Sequence, residues 1–369
     1  MRYMPIEAVT SGMITGKDIY DANDSILLCQ GKRLSELNVT RLRELGYAGI
    51  YIQDNLTRDI RIDDILSPEI RSEACQSIRN FDLDEAKKVA EAIVERILSA
   101  ESVSIDMVDL KTFDSYTYQH SVNVAVLATI VGMGMGFSAD KLKELCIAGM
   151  FHDMGKLEVP AEILNKPSKL TTEEYDIIKK HPQKSYDLLA DRFELSSNVR
   201  MGVLCHHENE DGSGYPRGLT GDKINIFAKI LHVVDVYDAL TSKRSYKKAY
   251  ACSEALEYLM GGTATLFDEK VVDVFMKYVP IYPKGMQVLL SDGRKGVIVR
   301  NNHISSLRPV VRMVDGLDID LTDMHRYSTL TIVCQANEET ATSEEIAQAE
   351  QERWREHPKV CVNLQTDVR

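Results

Sequence analysis

Asp140-Lys-Leu-Lys-Glu-Leu-Cys-Ile-Ala-Gly-Met-Phe-His-Asp-Met-Gly-Lys156 decides how this chain is read. Leu142, Leu145, Cys146 and Gly149 recur at helical spacing, which predicts a helix with those residues on its inward side. That helix delivers His152-Asp153 at its C-terminal end, where Gly155 can break it and let Lys156 turn back towards the same pocket. A second adjacent pair, His206-His207, closes another predicted helix, Asn198 to Cys205. Neighbouring side chains seldom point at one place in a strand, but they can at a helix end. Divalent metal is the usual reason to gather so many imidazoles and carboxylates.

Three further candidates extend the set. His120 lies in Tyr116-Thr-Tyr-Gln-His-Ser-Val-Asn123, near the start of an apolar helix, and His181 follows a polar helix beginning near Thr171-Thr-Glu-Glu174. Asp235 sits in His232-Val-Val-Asp-Val-Tyr-Asp238, on a helix otherwise apolar. By itself a lone histidine reads more often as a structural residue, whereas an unpaired carboxylate on an apolar helix is costly and more suspicious. The candidates recur about 25 to 32 residues apart, one per helical hairpin, as in a bundle converging on one polar centre. Six or seven nitrogen and oxygen ligands fit two octahedral ions, iron or manganese, better than one tetrahedral zinc. His303, His325 and His357 lie far along the chain and carry no such reading.

Two glycine-bearing stretches divide differently. Gly132-Met-Gly-Met-Gly136 follows a helical run and not a strand, so it reads as a helix end rather than a phosphate loop. Asp211-Gly-Ser-Gly-Tyr-Pro216 stands immediately after His206-His207. It is either a plain turn or a substrate-facing loop, with Gly214, Tyr215 and Pro216 as the contacting residues.

Outward from this centre the chain is mainly α. Residues 1–56 are expected to form a small α/β unit with a regulatory or dimerising role: a strand at Ser25–Gln30, a helix from Ser35 to Leu45 with Leu37, Leu42 and Leu45 on one face and Gly46 at its end, and a strand at Gly49–Gln53. Residues 57–100 read as connecting helices, with starts at Ser67-Pro68-Glu69 and at the capping box Asp82-Leu-Asp-Glu85. Residues 101–280 carry the ligand candidates. Residues 281–335 form a small β module with strands at Gln287–Leu290, Gly296–Val299 and Pro309–Val314, and 336–369 a polar tail.

The 369 residues are 44% hydrophobic with a formal net charge of −12, which argues against nonspecific binding to DNA, RNA or an anionic membrane. Seven scattered cysteines (29, 75, 146, 205, 252, 334 and 361) without a Cys-x-x-Cys pair read as reduced thiols. The N-terminus has no signal peptide, and Val122–Phe137 is too interrupted and too short to span a bilayer. A cytoplasmic protein is expected.

Taken in order, His152-Asp153-Met-Gly-Lys156, His181, His206-His207-Glu208 and Asp-Gly-Ser-Gly-Tyr-Pro resemble the HD-GYP subgroup of the HD superfamily of metal-dependent phosphohydrolases. The resemblance runs from about Asp109 to Tyr278. It implies an all-helical domain that hydrolyses cyclic di-GMP at a multi-metal site. Carried over residue by residue, it makes His120, His152, Asp153, His181, His206, His207 and Asp235 the metal ligands, with Asp153 bridging two ions. It gives Lys156 to the scissile phosphate, and Arg244 and Lys247 to the substrate phosphates; by themselves those two would read as a solvated basic turn. Tyr116 stands where members with a third metal carry Glu, so two divalent ions, iron or manganese, are expected. Ser185 and Ser245 replace a usual Gly and Pro without removing a ligand.

The chemistry expected from this resemblance follows from charge. Two cations about 3.5–4 Å apart can generate a bridging hydroxide at neutral pH and neutralise phosphate oxygens. Asp153 and Lys156 would be the catalytic residues, Lys156 stabilising charge on the nonbridging oxygens. The expected product is linear pGpG, with onward cleavage to GMP left open. The alternatives are hydrolysis of another nucleotide, a di-iron oxygenase, or a receptor that binds cyclic di-GMP without cleaving it. The expected partners are cyclic di-GMP and, through the flanking units, a second copy of the chain or a signalling protein.

Overall fold

The structure is a computed structural model that describes residues 1–20, 26–47, 49–62, 66–99, 116–164, 166, 168–242, 252–302 and 305–336. They form two compact units, one of residues 1–62 with 280–336, the other of 66–99 with 116–279.

The first unit is largely β. Its N-terminal segment comprises β1 (Arg2–Pro5), β2 (Ile14–Thr15), β3 (Ile19–Tyr20), β4 (Ile26–Leu28), α1 (Glu36–Glu44) and β5 (Gly49–Gln53). β5 is central in an antiparallel sheet ordered β1-β5-β2, with Met4 opposite Ile50. α1 opens on a capping box between Ser35 and Asn38 and buries Val39 and Leu42. Leu37, expected on the same face as Leu42, is exposed. Five residues of helix rotate it by about 140° from Leu42, so the apolar spacing there does not define a face.

The C-terminal strands are β6 (Gln287–Leu290), β7 (Lys295–Arg300), β8 (Val310–Met313), β9 (Asp318–Asp320) and β10 (Ile332–Gln335). They form one antiparallel sheet ordered β10-β6-β7-β8-β9. Tyr3, Tyr51, Ile60, Ile62 and Val297 form one buried cluster. The terminal segments, set apart in the sequence reading, therefore share a core.

The second unit is helical: α2 (Pro68–Arg79), α3 (Leu83–Ser99), α4 (Tyr116–Gly134), α5 (Ala139–Phe151), α6 (Ala161–Leu164), α7 (Thr172–Ile178), α8 (His181–Leu189), α9 (Ser197–Cys205), α10 (Ile226–Thr241), α11 (Cys252–Gly261) and α12 (Glu269–Tyr278). Hydroxyl and carboxylate caps start many of them: Ser67 on α2, Asp82 on α3, Ser138 on α5, Thr171 on α7 and Ser196 on α9. α4 ends within the Gly-Met-Gly-Met-Gly run, as a helix end should, and Gly136 takes the left-handed φ of +79°.

Two helices run through the centre. α4 is buried on every side from His120 to Gly132, and α10 from Ile230 to Asp238. Their apolar residues therefore surround each axis instead of forming a stripe. A Cβ on Gly149 of α5 would lie 2.6 Å from the Ala125 Cα of α4, so glycine lets the two backbones approach just before His152. No helix among the described residues is long and apolar enough to cross a membrane.

Candidate functional site

The helices of the second unit bring seven sequence-nominated residues together. His120 comes from α4, His152 and Asp153 from the end of α5, His181 from the start of α8, His206 and His207 from the end of α9, and Asp235 from α10. His120, His152 and Asp153 form one group whose ligand atoms all lie within 4.8 Å of one another. His181, His206 and His207 form another, and His152, His206 and Asp235 a third.

Three of the histidines are oriented by one local device. The Nδ1 atoms of His152, His181 and His206 lie 2.8, 2.8 and 2.7 Å from the carbonyl oxygens of Gly149, Ile178 and Val203. Each carbonyl belongs to the residue three positions earlier, an unclaimed acceptor of the last turn. Donation from Nδ1 leaves the Nε2 lone pair of each ring turned inward, as ligation requires. His120 uses a side chain instead: its Nδ1 lies 2.7 Å from Asp238 Oδ2, and Asn123 Nδ2 donates to Asp238 Oδ1 at 3.0 Å. Asp238 and Asn123 were missed in the sequence reading, although Asp238 lies one turn from Asp235 on the same helix.

The donor set fits a divalent cation. His181 Nε2 and His206 Nε2 lie 3.2 Å apart, and with both Nδ1 atoms protonated neither carries a proton to share. Burial, with neighbouring positive character, holds His206 and His207 well below the usual imidazole range, and burial lowers His181. These rings are therefore neutral at pH 7. His152 Nε2, His207 Nε2 and Asp153 Oδ1 are buried without a hydrogen-bond partner. Lone pairs facing one another in a dry centre repel unless a cation draws them together, so this His/Asp cluster is suited to hold one.

The carboxylates supply the opposing charge. Burial pushes Asp153 up, but His152, Lys156 and His181 outweigh it and hold the carboxyl well below its ordinary range. Asp235 is likewise raised by burial and lowered further by His120 and His152. Burial lowers His120, yet Asp235 and Asp238 carry it up to about 9 while no cation faces it; a cation at Nε2 would take the place of that proton. Lys156 turns back as expected, its Nζ donating to Asp153 Oδ2 at 2.6 Å.

Ser185 is fully buried, and its Oγ accepts the Gly155 amide at 2.8 Å. A Cβ on Gly155 would lie 2.2 Å from the His181 carbonyl oxygen, so the turn bearing Lys156 packs directly on the start of α8. The serine at this place thus holds the turn.

Tyr215 stacks on His207 with ring centroids 4.7 Å apart. Gly214 lies against the backbone of His207–Asn209, and Pro216 follows Tyr215 through a cis peptide and is exposed. Arg244, Lys247 and Ser245 lie outside the described residues, as do His303 and His357. Of Tyr116 the structure gives only its place, at the start of α4.

Comparison with known proteins follows this geometry. A family model described as the HD domain matches residues 102–271. A cyclic di-GMP phosphodiesterase of Pseudomonas aeruginosa is 38% identical over 233 residues, covering 63% of this chain and 56% of that protein. The cyclic di-GMP phosphodiesterase response regulator RpfG of Xanthomonas campestris is 40% identical over 157 residues, covering 41% of this chain and 40% of its own. The 3'3'-cGAMP-specific phosphodiesterase 1 of Vibrio cholerae is 35% identical over 190 residues, covering 50% of this chain and 42% of its own. The chain spans about half the length of the curated relatives it matches.

Proposed function

We propose that this chain, whose residues 102–271 match the HD domain family model, hydrolyses a phosphodiester bond of cyclic di-GMP to linear pGpG at a site holding two divalent ions, iron or manganese. The observation that carries this reading is the attitude of Asp153. Its Oδ1 lies 3.2 Å from His181 Nε2 and 3.9 Å from His206 Nε2. Its Oδ2 lies 3.4 Å from His152 Nε2 and 3.5 Å from His120 Nε2. One carboxylate thus faces two histidine sets with different oxygens, which supports a bridging role between two ions.

In this reading His120, His152 and Asp235 would hold one ion with Asp153, and His181, His206 and His207 would hold the other. A pair of divalent ions would supply Lewis-acid stabilisation of phosphate oxygens and lower the pKa of water towards neutrality. The chain's own groups do the rest. The backbone carbonyls of α5, α7 and α9 keep three imidazoles in the ligating tautomer. Lys156, held beside Asp153, stabilises charge growing on the nonbridging phosphate oxygens. Gly214, Tyr215 and Pro216 flank the substrate beside His207, and Arg244 and Lys247 hold its phosphates.

A second reading rests on the Vibrio cholerae relative, whose name specifies 3'3'-cGAMP. The decisive experiment is metal analysis after anaerobic purification, with product identification against cyclic di-GMP and 3'3'-cGAMP. Two equivalents of iron or manganese and a pGpG product are expected. Rapid turnover of another nucleotide with no cleavage of cyclic di-GMP would sink the first reading. Metal-loaded protein that binds cyclic di-GMP and releases no product would identify a receptor.

A further inference from the structure

Glu208 follows His207 directly and is almost wholly buried. A buried carboxylate is costly unless its oxygens are taken up, and both are. Oε1 accepts the Arg217 amide at 2.7 Å, and Oε2 accepts the Leu219 amide at 2.9 Å. These two donors stand on the far side of the loop that begins at Asp211. We infer that Glu208 is a positioning residue, whose carboxylate holds the 211–219 loop in the shape that seats Tyr215 against His207. The inference rests on the reading of this centre as a cyclic dinucleotide hydrolase.

The near side of the loop depends on the same short stretch. The Tyr215 amide donates to the His207 carbonyl at 3.1 Å. A Cβ on Gly214 would lie 2.3 Å from the Asn209 nitrogen, 2.4 Å from the His207 oxygen and 2.6 Å from the Glu208 Cα. Asn209 Nδ2 donates to Ser213 Oγ at 2.8 Å. From behind, His232 lies beside the Glu208 backbone, and the Phe267 ring packs on His232 with centroids 4.9 Å apart. Glu208 is therefore backed by a core histidine and holds the loop through its side chain.

The loop has little apolar burial of its own: Asp211, Ser213, Pro216, Arg217 and Gly218 are exposed. Hydrogen bonds must supply its shape, and Glu208 supplies two from beneath. An amide cannot replace it, because glutamine accepts through one oxygen only and turns an N–H towards the second backbone N–H.

The test uses Glu208→Gln and Glu208→Asp in the full chain. It measures metal content, melting temperature, amide exchange of the 211–219 segment, and kcat and KM on whichever cyclic dinucleotide the wild type turns over. Glu208→Gln is expected to keep its metal and its melting temperature. Its loop amides should exchange about tenfold faster, and KM should rise about tenfold with kcat within about threefold. Glu208→Asp, which keeps two acceptors on a shorter stem, should recover part of the KM. Unchanged exchange and KM in Glu208→Gln, or loss of metal at unchanged loop exchange, overturns the inference. If the glutamine variant does not fold, the aspartate variant decides by the same two readouts. If the wild type cleaves neither cyclic di-GMP nor 3'3'-cGAMP, the hydrolase reading fails, while loop exchange still decides whether Glu208 holds the loop.

Discussion

The two units bury polarity in opposite ways. Among the described residues of the β-rich unit, the buried polar side chains are Thr15, Thr57 and Ser306, all hydroxyls, and none of its ion pairs joins two fully buried groups. The helical unit buries His120, His152, His181, His206, His232, Asp153, Asp235, Asp238 and Glu208. Stability alone does not ask for this, since desolvating charged groups costs several kcal/mol each and apolar replacements are often neutral or stabilising. The concentration of expensive groups at the meeting of α4, α5, α8, α9 and α10 therefore marks chemistry, while the β-rich unit is built like an ordinary domain. Mutations should split along the same line, with large losses of activity in one unit and small losses of stability in the other.

The largest effect is expected at Asp153. Asp153→Ala removes the carboxylate that faces both histidine sets, and turnover should fall at least ~10³-fold with loss of bound metal. Unchanged turnover would rule out the site. Asp238→Asn keeps the shape but weakens the acceptor that orients His120, and a loss of about 10- to 100-fold in metal affinity or activity is expected. Competition with a chelator measures this directly, and wild-type affinity in the variant would show that Asp238 serves packing alone.

The candidate ligands were legible because adjacent His-Asp and His-His pairs are rare and the helical hairpins space the remaining members evenly. Their supporting residues were less so. Asp238 has a local signal, a second carboxylate three residues after Asp235 on an apolar helix, which helical geometry places on the same side. Glu208 and Ser185 have none, because each acts on a backbone amide that reaches it only once the chain has folded back: Arg217 and Leu219 for Glu208, Gly155 for Ser185. The shared core of the terminal segments was equally hidden, since Tyr3 and Val297 meet across nearly the whole chain. Leu37 shows the opposite error, an apolar residue assigned to a face that the helical angle does not allow.

A smaller effect is expected within the helical unit but beyond its polar centre. Lys229 Nζ lies 3.0 Å from Glu210 and 2.9 Å from Asp268, with all three side chains mostly buried. Lys229→Met leaves two carboxylates facing each other without their cation. A loss of roughly 2 kcal/mol is expected, between the values for exposed and fully buried pairs. Chemical denaturation measures it, and a change below about 0.5 kcal/mol would mean that water already screens the group.

The smallest effect belongs to the β-rich unit and has a defined pH dependence. Arg312 pairs with Asp318 through two nitrogens, at 2.7 and 3.1 Å, and with Asp59 at 2.6 Å. Both carboxylates are partly exposed, so Arg312→Ala should cost about 1 kcal/mol or less at pH 7. The Arg312 hydrogen bond holds the Asp59 carboxyl below its usual range. A carboxylate depressed in the folded state stabilises the fold above its unfolded pKa, and that contribution is lost as pH falls through the folded value. The gap in melting temperature between wild type and Arg312→Ala should therefore narrow between neutral pH and about pH 3. A gap that stays constant would assign the effect to the Leu56 carbonyl, which Arg312 also bonds at 3.1 Å and which does not titrate. The β-rich unit would then be held at this point by a neutral acceptor rather than by charge.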